Sequence, residues 1–146
     1  MPGAAVQISG KSAKAQAPAS WQEETPIFCF RHADRASKEA WKFKPSGQEA
    51  KKLVEFLCQI AGSTWKQIEN MTSGGHFMHH GQELKSITRK AKKDAERQKL
   101  SETFGDEMFR FRLGSTRRLW GFRKERTFHV VWWDPEHKVY PTETSS

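Results

Sequence analysis

The residues best able to do chemistry lie in the last third of the chain. Arginine alternates with phenylalanine in Phe109-Arg110-Phe111-Arg112-Leu113, and two arginines open the run Arg117-Arg118-Leu119-Trp120-Gly121-Phe122-Arg123. His129, His137, Lys138 and Tyr140 punctuate the stretch from Phe128 to Tyr140. Guanidinium groups hold phosphate oxygens through paired N–H donors, imidazole moves protons near neutral pH, and a tyrosine ring stacks on a base. Metal-independent RNA cleavage needs a base for the 2′-hydroxyl, a cation for the dianionic phosphorane and an acid for the departing 5′-oxygen. Arg112, Arg117, Arg118 and Arg123 on two neighbouring runs, with His137, Lys138 and Tyr140 at the end of the third, are the candidates to converge around one phosphate, and Arg110 is a further candidate RNA contact. The plainer reading of the same residues, arginines on a solvated strand face and Tyr140 at the edge of a core, stays open.

These side chains converge only if the chain returns on itself. Gly114-Ser115-Thr116 and Lys124-Glu125-Arg126 separate the three apolar runs, and that spacing predicts an antiparallel meander. Alternate residues of a strand share a face, so Phe109, Phe111 and Leu113 oppose Met108, Arg110 and Arg112. The second run splits less cleanly, with Arg118, Trp120 and Phe122 against Arg117, Leu119, Gly121 and Arg123, and periodicity leaves its inward face open. Phe128, Val130 and Trp132 oppose His129, Val131 and Trp133, as expected of a strand covered on both sides. The meander is expected to turn its cationic face toward RNA. Asp134-Pro135 signals a turn that either presents His137 at the sheet's edge or leaves it in a loop. Trp65, Trp120, Trp132 and Trp133 are expected in the core, with base stacking as the alternative.

Upstream, Pro26 to Arg31 is a short candidate strand, expected to pair with the meander. Ser46 and Glu49 read as a capping box ahead of Ala50, Leu53, Val54, Leu57, Ile60 and Ala61, whose spacing predicts an amphipathic helix ending at Gly62. Thr64 with Gln67 repeats the capping pattern before a short helix around Trp65, Ile68 and Met71. His76-Phe77-Met78-His79-His80-Gly81 is expected to be a loop, with His79 and His80 as candidate RNA contacts. The spacing of His76 and His80 would suit a metal only on a helix, which the flanking glycines oppose, so no metal or other cofactor is assigned. Leu84, Ile87, Ala91 and Ala95 predict a further helix over 82–99, lined elsewhere with Lys85, Arg89, Lys90, Lys92, Lys93, Arg97 and Lys99. Lys90, Lys92 and Lys93 are candidate RNA contacts, and the bland reading of this stripe is a solvated helix face.

The whole chain supports such a partner. A net charge of +8 over 146 residues favours a polyanion, nucleic acid or ribosome first and an acidic protein second. One core is expected at this length. Cys29 and Cys58 each sit in an apolar stretch and read as small buried hydrophobes, which fits a reducing cytoplasm. No run approaches a membrane span, and no secretory h-region opens the chain, so no membrane partner is expected. Residues 1–25 are rich in Ala, Gly, Ser, Pro, Gln and Lys and are expected to form a disordered N-terminal extension before a domain over 26–141 and a polar tail over 142–146.

The order strand, helix, short helix, helix and three strands predicts an α+β domain with helices packed on one face of a small antiparallel sheet. With the residues quoted above, this order resembles the RelE/ParE superfamily of toxin-antitoxin toxins, particularly its RelE, YoeB and HigB-like ribonuclease branches. Arg118-Leu119-Trp120 looks like that family's strand arginine at the scissile phosphate, and His137 and Tyr140 look like its C-terminal proton-transfer and base-stacking groups. The resemblance implies a RelE-like endoribonuclease toxin that cleaves mRNA, commonly on the ribosome, and is silenced by a cognate antitoxin. For the family's carboxylate or lysine base the sequence offers Glu83 and Lys85 as candidates, with no firm counterpart. The alternatives from other classes are a non-catalytic nucleic-acid- or ribosome-binding module and a ParE-like toxin that inhibits a topoisomerase.

Overall fold

The computed structural model describes residues 20–141. The expected extension before residue 20 and the tail from 142 lie outside them. A five-stranded sheet runs through the domain. Its strands are β1 (Ile27–Cys29), β4 (His80–Glu83), β5 (Glu107–Leu113), β6 (Arg117–Lys124) and β7 (Thr127–Asp134), in the spatial order β1-β7-β6-β5-β4. Two short strands, β2 (Thr72–Ser73) and β3 (His76–Phe77), form a separate hairpin. The meander expected from the sequence is present as β5, β6 and β7, and β1 joins it alongside β7. That last pairing is parallel, because the chain between β1 and β7 crosses the whole domain before returning.

The expected placement of the helices is overturned. Helices α1 (Gly47–Ile60) and α2 (Trp65–Glu69) cover one face, where Leu53, Ile60, Trp65 and Ile68 pack with Phe109, Phe111, Leu119, Phe128, Val130 and Trp133. Helices α3 (Arg89–Arg97) and α4 (Leu100–Phe104) cover the other, where Ala91, Ala95 and Leu100 pack with Met108, Trp120, Phe122, Val131 and Trp132. The fold is therefore a mixed α/β sheet with helices on both sides, and not an antiparallel sheet with helices on one. The apolar residues on both sides of β7 are its sequence trace, but a bulge at Val131 puts Trp132 beside Val131 under α3 and Trp133 beside Val130 under α1, reversing the expected split at that end of the strand.

A buried carboxylate fixes the second layer. Asp34, in the segment after β1, accepts from Arg97 Nη2 with both oxygens at 2.7 Å and from Trp132 Nε1 at 3.0 Å. Asp94 accepts from Trp41 Nε1 at 2.8 Å and Ser37 Oγ at 2.7 Å, so α3 is tied to the segment between β1 and α1 as well as to the sheet. A carboxylate withdrawn from water persists only with such a set of donors.

Local signals were met unevenly. Thr64 and Gln67 close a full capping box on α2. The capping box expected at Ser46 does not form: the Glu49 N–H donates to the Ser46 backbone carbonyl at 3.0 Å instead of to its hydroxyl, and the Glu49 carboxylate pairs with Arg117. The helix expected over 82–99 is shortened: His80 to Glu83 pair with β5, and a 3-10 turn over Leu84–Ser86 precedes α3. A helix from residue 82 would have left the outer backbone groups of β5 without this partner. All four tryptophans expected in the core are buried. Cys58 is exposed and Cys29 half-buried, which corrects the expectation that both are enclosed.

Candidate functional site

The helix-covered sheet ends in a cationic corner. On β5, Arg110 and Arg112 point to the α3 side with Met108, and in register Arg112 lies directly opposite Arg118 of β6. Two like charges face to face across an antiparallel pair destabilise a sheet unless something of opposite sign lies near. On the other flank of Arg118, β7 supplies Asp134 in the same register row. Arg110 and Arg118 are 3% and 2% exposed, whereas Arg112 is half-buried. Arg110 Nη1 donates to the Met78 carbonyl at 3.0 Å and Arg118 Nη1 to the Arg117 carbonyl at 3.0 Å. His80 completes the row across from Arg110, their side-chain nitrogens 2.7 Å apart. Since an arginine can only donate, His80 Nε2 is the acceptor, and its Nδ1–H then donates to the Gly81 carbonyl at 2.8 Å.

The turn after β7 brings His137 to this corner. The Asp134 carboxylate accepts from the backbone N–H of Lys138 at 2.8 Å and of Val139 at 2.9 Å, which folds the chain back under its own strand end. His137 takes a left-handed backbone, φ 59°, and its ring is buried close enough to Asp134 for its charge to act on that carboxyl. Burial pushes the Asp134 pKa up, against the pull of the two backbone donors and of His137. Arg118, Asp134 and His137 thus form one neighbourhood although Arg118 is remote in sequence from the other two. Lys138 is exposed beside them, and Tyr140 packs half-buried against the apolar cluster beneath α3 and α4.

Several candidates lie elsewhere. Arg117 and Arg123 point to the α1–α2 face, as strand alternation demands. Arg117 makes a bidentate pair with Glu49, Nη2 to Oε2 at 2.7 Å and Nε to Oε1 at 2.9 Å. Arg123 lies over the Trp21 ring at 3.6 Å. His79 is also on that face, against Phe56 and Phe111, with its Nδ1 accepting from the Arg112 backbone N–H at 3.0 Å. Burial drives its pKa down to about 4, so it is a neutral acceptor that extends the β5 ladder. Lys90 and Lys93 are exposed on α3 and Lys92 is half-buried. The backbone of Thr88, just before α3, donates to the Val139 carbonyl at 3.0 Å, so the start of this basic helix adjoins Lys138.

Glu83 and Lys85 do not join the corner. Glu83 pairs with Glu107 at the far end of β4, and Arg112 lies five positions along β5 from Glu107, roughly 17 Å of strand. The two side chains instead approach each other at 3.8 Å in solvent. Among the described residues no group of three or more His, Cys, Asp or Glu side chains is placed to hold a metal. No helix of the described residues is long and apolar enough to cross a membrane. Sequence reasoning missed Asp134 as part of the site; an aspartate at a strand end, followed by proline and then by backbone donors four and five residues on, was its available signal. The chain matches no protein-family model, no curated protein and no solved structure.

Proposed function

We propose that the protein acts on RNA as the endoribonuclease toxin of a toxin-antitoxin system, cleaving mRNA in the cytoplasm, on the ribosome, until a cognate antitoxin binds it. The observation that carries this reading is the convergence of Arg110, Arg112 and Arg118 on one sheet face with His137 around the end of β7. Guanidinium groups spaced by one strand pair suit the two non-bridging oxygens of a phosphodiester. In the corresponding chemistry the 2′-hydroxyl passes its proton to solvent water as its oxygen attacks phosphorus, the bond to the 5′-oxygen breaks, and His137 protonates that oxygen, leaving a 2′,3′-cyclic phosphate and a 5′-hydroxyl. Arg112 and Arg118 stabilise the extra negative charge of the phosphorane. Tyr140, seated in the apolar cluster, serves as a stacking surface.

The test is cleavage of mRNA by the purified full chain, with and without ribosomes, in the presence of a chelator. Cleavage that persists with chelator is expected, and Arg118→Ala should lower its rate about a hundredfold, the equivalent of ~3 kcal/mol of transition-state stabilisation, without loss of fold by circular dichroism. His137→Gln should lower it comparably while RNA binding is retained. A second reading, a non-catalytic RNA- or ribosome-binding module, draws on the burial of Arg118 and His137, at 2% and 4% exposed, which leaves Arg112 and Lys138 as the accessible cations of the corner. RNA binding with no cleavage under any of these conditions would select it.

A further inference from the structure

Around the edge of the sheet from the arginine corner lies a cavity of about 260 Å³ that the corner does not use. It opens on the α2 side of β4. Glu69 at the end of α2, Glu107 at the start of β5 and Arg123 of β6 line it, with Phe77 of β3 at its mouth and Gly81 and His80 of β4 along its edge. At Gly81 a methyl group would sit 2.6 Å from the Glu107 carboxylate and push that flexible side chain away from the strand. The side chains of Glu69 and Glu107 make no hydrogen bond or ion pair with another described residue, and both act on Arg123 through their charge. Arg123 is held by the face of Trp21 at 3.6 Å and by the Glu125 carbonyl, to which its Nη1 donates at 2.8 Å. Its other N–H groups remain as donors. Phe77 is 55% exposed, a large ring presented to solvent at the rim.

Carboxylate, guanidinium and an open aromatic ring around a volume of this size specify a flat ligand with adjacent donors on one edge and acceptors on another. We propose that this cavity is a nucleobase subsite selective for guanine. Guanine presents N1–H and N2–H₂ on its Watson–Crick edge, which a carboxylate of Glu107 or Glu69 accepts. It also presents O6 and N7, the acceptors to which arginine donates in pairs. Adenine offers a ring nitrogen acceptor where the carboxylate needs a donor, and it carries no O6. Cytosine donates from N4 but has no O6 and N7 pair, and uracil lacks the amino group. Phe77 supplies a stacking surface that any base can use. The subsite rests on the RNA reading above and adds sequence preference to it. His80 links the two sites, since it borders the cavity while its ring accepts from Arg110. A strand with its phosphate at the arginines would fold one base around the β4 edge into the cavity.

Trp21 and Trp65 lie 3.6 Å and 5.8 Å from the Arg123 guanidinium and provide the readout. Tryptophan fluorescence of the full chain is titrated with GMP, AMP, CMP and UMP. GMP is expected to bind roughly tenfold or more tightly than the others, the discrimination a well-made paired contact supplies. Glu107→Gln and Glu69→Gln should remove that preference with an unchanged circular dichroism spectrum, and Phe77→Ala should weaken all four nucleotides alike. Equal affinities for the four, or no saturable change with GMP into the millimolar range, would overturn the subsite. So would saturable binding of N-acetylarginine amide without GMP selectivity, which would make the cavity a receptor for a peptide cation. The RNA reading fails separately: Arg118→Ala RNA binding and cleavage equal to wild type would sink it while GMP selectivity stood, and loss of both with no base preference would do the reverse.

Discussion

The two faces of the sheet solve burial in different ways. Under α1 and α2 the rings of Phe28, Phe109, Phe111 and Phe128 interlock, with Phe111 and Phe128 centroids 4.8 Å apart, and among the described residues His79 is the only fully buried polar side chain on that side. Under α3 and α4 the apolar cluster shares its face with buried Asp34, Arg110, Arg118, Asp134 and His137. Neighbours Arg117 and Arg118 show the contrast in one peptide unit. Arg117 turns to the ring-packed face and is satisfied at its margin by Glu49; Arg118 turns to the other and enters a group of charges. Apolar packing needs only complementary shape, whereas buried charge needs specific partners. The face that carries buried charge is therefore where the phosphate chemistry is to be sought.

Breaking the ring-packed face should cost stability and leave chemistry alone. Phe111 is fully buried and touches Phe28, Phe56, Trp65, His79, Phe109 and Phe128. Phe111→Ala is expected to destabilise the domain by about 4 kcal/mol in urea unfolding, the usual cost of emptying such a site. A loss below about 1 kcal/mol would mean that the rings are not the principal support of that face.

The buried histidine on the same face sharpens the contrast through pH. His79 has a folded pKa of about 4 against 6.5 unfolded. The unfolded chain therefore binds the proton first, and stability present above pH 6.5 is lost as pH falls toward 4, up to about 3 kcal/mol for this group. Asp134, whose pKa burial raises, works in the opposite sense, because the folded state takes up its proton more readily than the unfolded chain. His79→Asn retains an acceptor for the Arg112 N–H and cannot titrate, so thermal unfolding followed from pH 7.5 to 4.5 should show a flatter acid limb than wild type. Identical limbs would remove His79 as the cause.

The smallest effect distinguishes the neighbouring arginines. The Arg117–Glu49 pair is partly solvated, each side chain about a third exposed, so Glu49→Gln or Arg117→Ala should cost on the order of 1 kcal/mol or less. Neither should change RNA affinity or its salt dependence at the level that Arg118→Ala does. A salt slope reduced equally by Arg117→Ala and Arg118→Ala would extend the phosphate contact onto both faces and erase the distinction drawn between them.

Much of the architecture was legible in the residues, because local rules set it. The turn residues specified β5, β6 and β7, alternation specified the faces of β5 but not those of β7 beyond its bulge, and Thr64 with Gln67 specified the start of α2. The candidate set included Arg110, Arg112, Arg118 and His137, but alternation alone could not tell which of Arg117 and Arg118 faced which side, since large apolar groups flank both. The strand at His80 to Glu83 was hidden because its only partner is β5, some two dozen residues on, and its own residues carry little β preference.

By itself the sequence determined which residues alternate, where the chain turns and that its charge suits a polyanion, all of which depend on neighbours along the chain. Only the tertiary structure decided that helices lie on both faces, that Asp134 stands between Arg118 and His137, and that Glu69, Glu107 and Arg123 surround one cavity. These depend on pairings between distant segments, whose closure is repaid by burial of the whole sheet and leaves no periodic signal in the residues that make it.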